Sequence, residues 1–306
     1  MSAIYTFIVI VLGVLAVAGL FVGVTNDAVN FLNSAIGSKA APKKVILMIA
    51  SIGIIIGAVT SSGMMEVARS GMFDPSLFTF HEVMMLYLGV MFANIILLDL
   101  YNTWGLPTST TVSLIFCLLG SAIAVSIFKI ASDPNITLAN LGEYINSDRA
   151  LGIIAAILLS VVLAFTCGMI VMYISRLIFT FRYHKIFHNW GALWCGISLA
   201  SIVYFAVFKG LKAPLAGTAF IAYVTDNMAL SLLITWIACS AILWILQRLN
   251  INILKITILA GTFALALAFA GNDLVNFIGV PIAGYDSYKM ALSSGDTLML
   301  MNGLKE

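Results

Sequence analysis

Residues 271–277 read Gly-Asn-Asp-Leu-Val-Asn-Phe, and residues 25–31 read Thr-Asn-Asp-Ala-Val-Asn-Phe. Asn, Asp, Val, Asn and Phe recur in register, and both stretches interrupt runs that are otherwise apolar. Asn26 and Asn30 are one helical turn apart and share a face, with Asp27 beside it. A carboxylate inside a membrane span costs roughly 2.5–3.5 kcal/mol on insertion scales. Paying that cost twice, in the same local pattern, points to a symmetric polar site. Interhelical contacts through Asn amides are the plainer alternative, and they leave the repetition unexplained.

The surroundings of these elements set the fold class. Hydrophobic residues make up 62% of the 306 positions and charged residues 9%, with a mean hydropathy of +1.09. A soluble domain is nearer 45–50% apolar and about 25% charged, so the solvent that suits this chain is lipid. The net charge of +2 gives no support to nucleic-acid binding. Cys117, Cys167, Cys195 and Cys239 are scattered through apolar runs without a C-x-x-C pair. They read as packing residues rather than disulfides or metal ligands. The apolar N-terminus lacks a basic flank and is too long for a cleavable signal, so it reads as a first span.

A bilayer-spanning helix needs roughly 20 apolar residues. Candidate spans fall at about 3–33, 45–67, 77–100, 108–128, 150–175, 189–208, 213–247 and 254–280. The seventh is long and contains Thr225-Asp226-Asn227, which suggests a re-entrant piece followed by a span. After Gly284 the chain reads as a polar tail. Lys39, Lys43, Lys44, Arg176, Arg182, Lys185, Arg248 and Lys255 gather in alternate loops, eight against five in the others. The positive-inside rule then places the N-terminus outside. Spans one and eight run in opposite directions, so the Asn-Asp elements lie on oppositely directed helices, as in inverted-topology repeats of transporters. The expectation is an all-α polytopic membrane protein with about eight spans and a broken-helix element. Residues 1–210 form the first repeat with its connecting helices, and 211–306 form scaffold helices with the start of a second repeat.

A second motif is Gly105-Leu106-Pro107-Thr108-Ser109-Thr110-Thr111. Gly and Pro break the chain, and a hydroxyl run opens the next apolar helix. Such a start offers free N–H groups and the positive dipole end, which suits an oxyanion. Ser and Thr are also ordinary N-caps. Asp27, Asp273, Glu82, Asp99 and Asp226 are the mid-span ionisable candidates, all acids. Carboxylate and amide oxygens suit a hard cation such as Na⁺, so an anionic substrate here needs a co-bound cation or backbone dipoles. His81-Glu82 lacks the second His of a zinc helix, because residue 85 is Met. Gly53 and Gly57 read as a small-residue helix contact.

Together these motifs resemble the inorganic phosphate transporter family, the cation-coupled phosphate permeases. Its duplicated Gly-Ala-Asn-Asp-Val-Ala-Asn-Ala signature is matched at 24–31 and 270–277, and its Gly-Leu-Pro-Val-Ser-Thr-Thr-His element at 105–112. A Glu-Thr-Ile-Arg-Lys-Gly-like stretch is matched at Glu66 to Gly71. The resemblance covers about residues 5–284. It departs at Val24-Thr25, at Phe31 and Phe277, where the family has a small residue, and at Val112, where the family has His. A second Ser-Thr-Thr element, at the spacing of the two signatures, falls beyond Glu306, so the second repeat reads as incomplete.

The resemblance implies symport of inorganic phosphate with Na⁺ or H⁺ and no enzymatic activity. Ser109, Thr110, Thr111, Asn26, Asp27, Asn272 and Asp273 would bind substrate. Asp27, Asn30, Asp273, Asn276 and Glu66 would bind the coupling ion, the first four of these being the Na⁺ candidates. No cofactor is expected beyond the transported ion. Expected partners are phosphate, the coupling cation, the lipid bilayer and, as an open option, a second copy in a homodimer. The setting is a multi-pass position in the cell membrane. The alternatives are another oxyanion such as sulfate, an intramembrane enzyme acting on a lipid phosphate, and a non-transporting truncated subunit.

Overall fold

The computed structural model describes residues 3–60, 71–106, 108–132, 137–180, 183–206 and 218–305. Helices account for nearly all of them: α1 (Ala3–Gly37), α2 (Lys43–Thr60), α3 (Phe80–Trp104), α4 (Thr110–Ser132), a short α5 (Leu141–Tyr144), α6 (Ser147–Ile178), α7 (Tyr183–Phe205), α8 (Ala219–Asp226), α9 (Met228–Arg248), α10 (Ile253–Phe269) and α11 (Val275–Ser294). Eight helical stretches among the described residues are long and apolar enough to span a membrane, α10 and α11 counting as one. The chain is therefore an all-α polytopic membrane protein. The long seventh segment resolves into α8, which ends at Asp226, and α9, which begins at Met228. Glu66 lies outside the described residues.

Two features differ from the sequence reading. The stretch after Gly284 is helical to Ser294. Beyond it the chain docks: Phe80 N donates to Met299 O at 3.0 Å, and Met301 N donates to Phe78 O at 3.1 Å. Met301 and Leu304 are buried. Polar spacing hid these apolar anchors. Glu82 is likewise no mid-span acid. It closes a capping box with Thr79 at the start of α3 and pairs with Lys129 at 2.9 Å, so its charge serves a helix N-terminus.

The contacts divide the chain into two compact units. The first takes the described residues of Met1–Ala28, Gly63–Leu158 and Asn272–Glu306. Its core gathers Leu12, Tyr87, Met91, Leu118, Val280 and Ala283. Here α1 and α11 pack in opposite directions. Thr6 bonds Tyr288 at 3.0 Å, Leu12 lies against Gly284, and Gly19 and Gly23 both face the Phe277 ring, so numbers rise on one helix as they fall on the other. Phe277 is fully buried in the notch that the two glycines leave. The bulky departure from the family pattern is thus matched by missing side chains opposite.

The second unit takes the described residues of Val29–Ser62 and Leu159–Gly271. Gly53 lies against Phe263 and Ala266, and Gly57 against Leu267 and Ala270, so α2 and α10 run parallel at close approach. This is the expected small-residue contact. Phe31 packs against Phe269 with ring centroids 5.4 Å apart. Ala192 and Cys195 of α7 join Leu243 of α9 and Ile253 of α10 in a small core.

Candidate functional site

The site assembles in the first unit around the start of α4. Gly105 ends α3 with φ 67°, a left-handed conformation that costs a side chain energy but suits glycine. Its N–H donates to Asn102 O at 3.1 Å, and Leu106 N donates to Tyr101 O at 2.9 Å. The turn returns the chain into α4 with Thr108 to Thr111 leading. Ser109 serves as the cap: Val112 N donates to its Oγ at 3.3 Å, and Ser113 N to its carbonyl at 2.9 Å. As the cap, its oxygen accepts, the ordinary role of Ser at a helix start.

The next two hydroxyls reach in two directions. Thr110 Oγ1 donates to Asp27 Oδ2 at 3.1 Å. Thr111 Oγ1 donates to Asp273 Oδ1 at 2.5 Å. The acids of the two sequence-distant signatures are therefore held by adjacent residues of one helix start. Asp27 and Thr110 are buried, and Asp273 and Thr111 half-buried. Asn276 Nδ2 donates to Thr111 Oγ1 at 2.7 Å. Asn276 is 1% exposed, and its Oδ1 has no hydrogen-bond partner among the described residues. A buried amide oxygen with unused capacity beside a carboxylate is a donor atom suited to a hard cation.

Asn26 has a different task. Its Nδ2 donates to Asn102 Oδ1 at 2.7 Å, Asn102 Nδ2 donates to Val22 O at 3.1 Å, and Thr108 N reaches Asn26 Oδ1 at 3.5 Å. This chain ties α1 to both sides of the α3–α4 turn. Asn272, its counterpart in the second signature, is exposed. Asn30 is also exposed and belongs to the second unit. The two signatures differ in backbone too. The first sits in unbroken α-helix, while residues Ala270–Leu274 form a wider π-helical turn. Such turns insert a residue into the helix and frequently mark functional positions.

Two polar residues escaped the sequence reading. Asn94 on α3 is fully buried and accepts from Ser113 Oγ at 2.6 Å. Its Nδ2 has no partner among the described residues. Asn102 joins the Asn26 chain described above. Lone asparagines in apolar helices carry no repeat signal, although Asn102 stands three residues before the Gly105 break. No group of three His, Cys, Asp or Glu side chains gathers among the described residues. The polar cluster thus comprises two carboxylates, hydroxyls and amides, beside a helix N-terminus with a positive dipole end.

A sequence model of the phosphate transporter family matches residues 23–303. The chain belongs to the phosphate transporter family. Its fold is similar to that of a solved sodium-dependent phosphate transporter, with a TM-score of 0.71 at 19% identity, covering 98% of this chain and 72% of that one. A comparison with curated proteins gives no match. For a member of this family, the matched span takes in both Asn-Asp elements and the whole α3–α4 turn.

Proposed function

We propose that the chain carries inorganic phosphate across the cell membrane by symport with Na⁺, at the cluster around Asp27, Asp273, Thr110 and Thr111. One observation carries this reading: adjacent hydroxyls at the start of α4 hold the carboxylates of both repeated elements. The cation binds first, at Asp27 and Asp273 with the Asn276 carbonyl oxygen. Its charge offsets one of the two carboxylates, which by themselves repel an oxyanion. Phosphate then meets the N–H groups of Thr110 and Thr111 that open α4, ahead of Val112 and Ser113, whose N–H groups bond to Ser109. Na⁺ is preferred over H⁺ because the free donor atom is an amide oxygen, which coordinates a metal cation but does not take up a proton near neutral pH. The similar solved structure is of a sodium-dependent transporter, which supports the same choice.

Uptake of ³²P-phosphate into proteoliposomes tests the proposal. An inward Na⁺ gradient should drive accumulation, and unlabelled phosphate should compete far better than sulfate. Uptake that follows a pH gradient and ignores Na⁺ contradicts the coupling. Equal competition by sulfate contradicts the substrate.

A further inference from the structure

In the second unit, α7 and α9 leave an open groove of about 570 Å³ on their apolar surface. Its walls include Asn189, Ala192, Leu193, Trp236, Ser240 and Trp244. A second groove of about 480 Å³ shares Leu193 and Trp236 and continues along Phe179, Trp190 and Trp194. The shared ridge is pinned, because Trp236 Nε1 donates to Leu193 O at 3.1 Å. Both volumes lie in the range of ligand pockets, and both grooves flank one ridge inside spanning helices.

The ends of the grooves are not alike. Gln247 Nε2 donates to Phe187 O and His188 O, each at 3.3 Å, so the start of α7 lies against the end of α9. At this end the Arg248 guanidinium lies over the Trp244 ring at 5.1 Å. Lys185 precedes Asn189 by one helical turn and shares its face. Both cations are exposed. The unit's acidic residue, Asp226, stands at the opposite end of α9, about 30 Å away along the helix. Within the unit, then, no carboxylate side chain offsets the charge at the groove mouth. Ser240 belongs to the floor of the groove: it is 6% exposed, and its hydroxyl is packed against Gly196 of α7.

We infer that the paired grooves hold one anionic diacyl phospholipid. Its two chains lie on either side of the Leu193–Trp236 ridge, and its phosphate meets Lys185 and Arg248. A cationic mouth over an apolar, two-channel wall matches that amphiphile. A zwitterionic lipid forgoes part of the charge match, since its own cation opposes the two basic residues.

The test uses protein reconstituted in equal amounts of phosphatidylglycerol and phosphatidylcholine, with retained lipids counted by native mass spectrometry. Retention should favour phosphatidylglycerol. K185Q/R248Q should weaken it by about five-fold for each charge removed. K39Q/K43Q removes the same charge elsewhere in the unit and should leave retention unchanged. Ala241→Trp, at an exposed position of the groove wall, fills the groove without altering charge and should also expel the lipid. No preference for the anionic lipid, or equal loss in K39Q/K43Q, overturns the inference. Because Lys185 and Arg248 are surface residues, their variants still decide the matter if Ala241→Trp fails to fold.

Discussion

Thr111 is the residue on which the site turns. It donates to Asp273 and accepts from Asn276, so one hydroxyl orients a carboxylate and an amide together. Thr111→Ala should lower phosphate uptake about ten-fold or more, since hydrogen bonds to charged groups contribute roughly 1.5–3 kcal/mol. Thr111→Ser should restore most of it by keeping the oxygen. If alanine and serine behave alike in the uptake assay, the hydroxyl has no role. The acids Asp27 and Asp273 were legible in the sequence because the pattern repeats. Asn94 and Asn102 were not, because a single polar residue on an apolar helix has no partner in sequence to reveal it. Ser109 was legible as part of the hydroxyl run that opens α4, and its oxygen caps that helix.

The pairing of α1 with α11 rests on Gly19, Gly23 and Phe277. A side chain at Gly23 would run into the buried ring. Gly23→Ala should therefore cost about 1–3 kcal/mol by overpacking, read as a lower melting temperature in detergent. Combining it with Phe277→Leu, which shortens the intruding side chain, should recover part of that loss. Simple additivity of the two changes would show that the residues do not meet. The opposed direction of these helices followed from loop charges, since an even number of crossings separates them. The notch itself did not, because glycines in a membrane helix are common and their partner lies far along the chain. The π-helical turn at Ala270–Leu274 also left no sequence mark, as the two elements look alike residue by residue.

Across the whole chain, charge is unevenly shared. Among the described residues, the second unit contains the basic loops and a single acid, Asp226, while the first contains the other acids. Within the second unit, cysteines placed at Lys43, Lys185 and Lys255 should all label with an impermeant thiol reagent from the cytoplasmic side. A cysteine at Asp226 should label from the other. Labelling of Lys43 and Lys255 from opposite sides would break the crossing order. The eight spans were readable because length and hydropathy alone define them. The docked stretch to Leu304 was not, because its anchors Met301 and Leu304 sit among polar neighbours.

The central claim is that both Asn-Asp elements and the start of α4 form one cation-dependent phosphate site. Equilibrium binding of ³²P-phosphate to the purified protein, titrated with Na⁺, tests it most directly. Binding should require Na⁺, and Asp27→Asn and Asp273→Asn should each raise the Na⁺ needed for half-maximal binding about ten-fold or more. Phosphate binding that is equally strong without Na⁺, or unchanged in both variants, would contradict it.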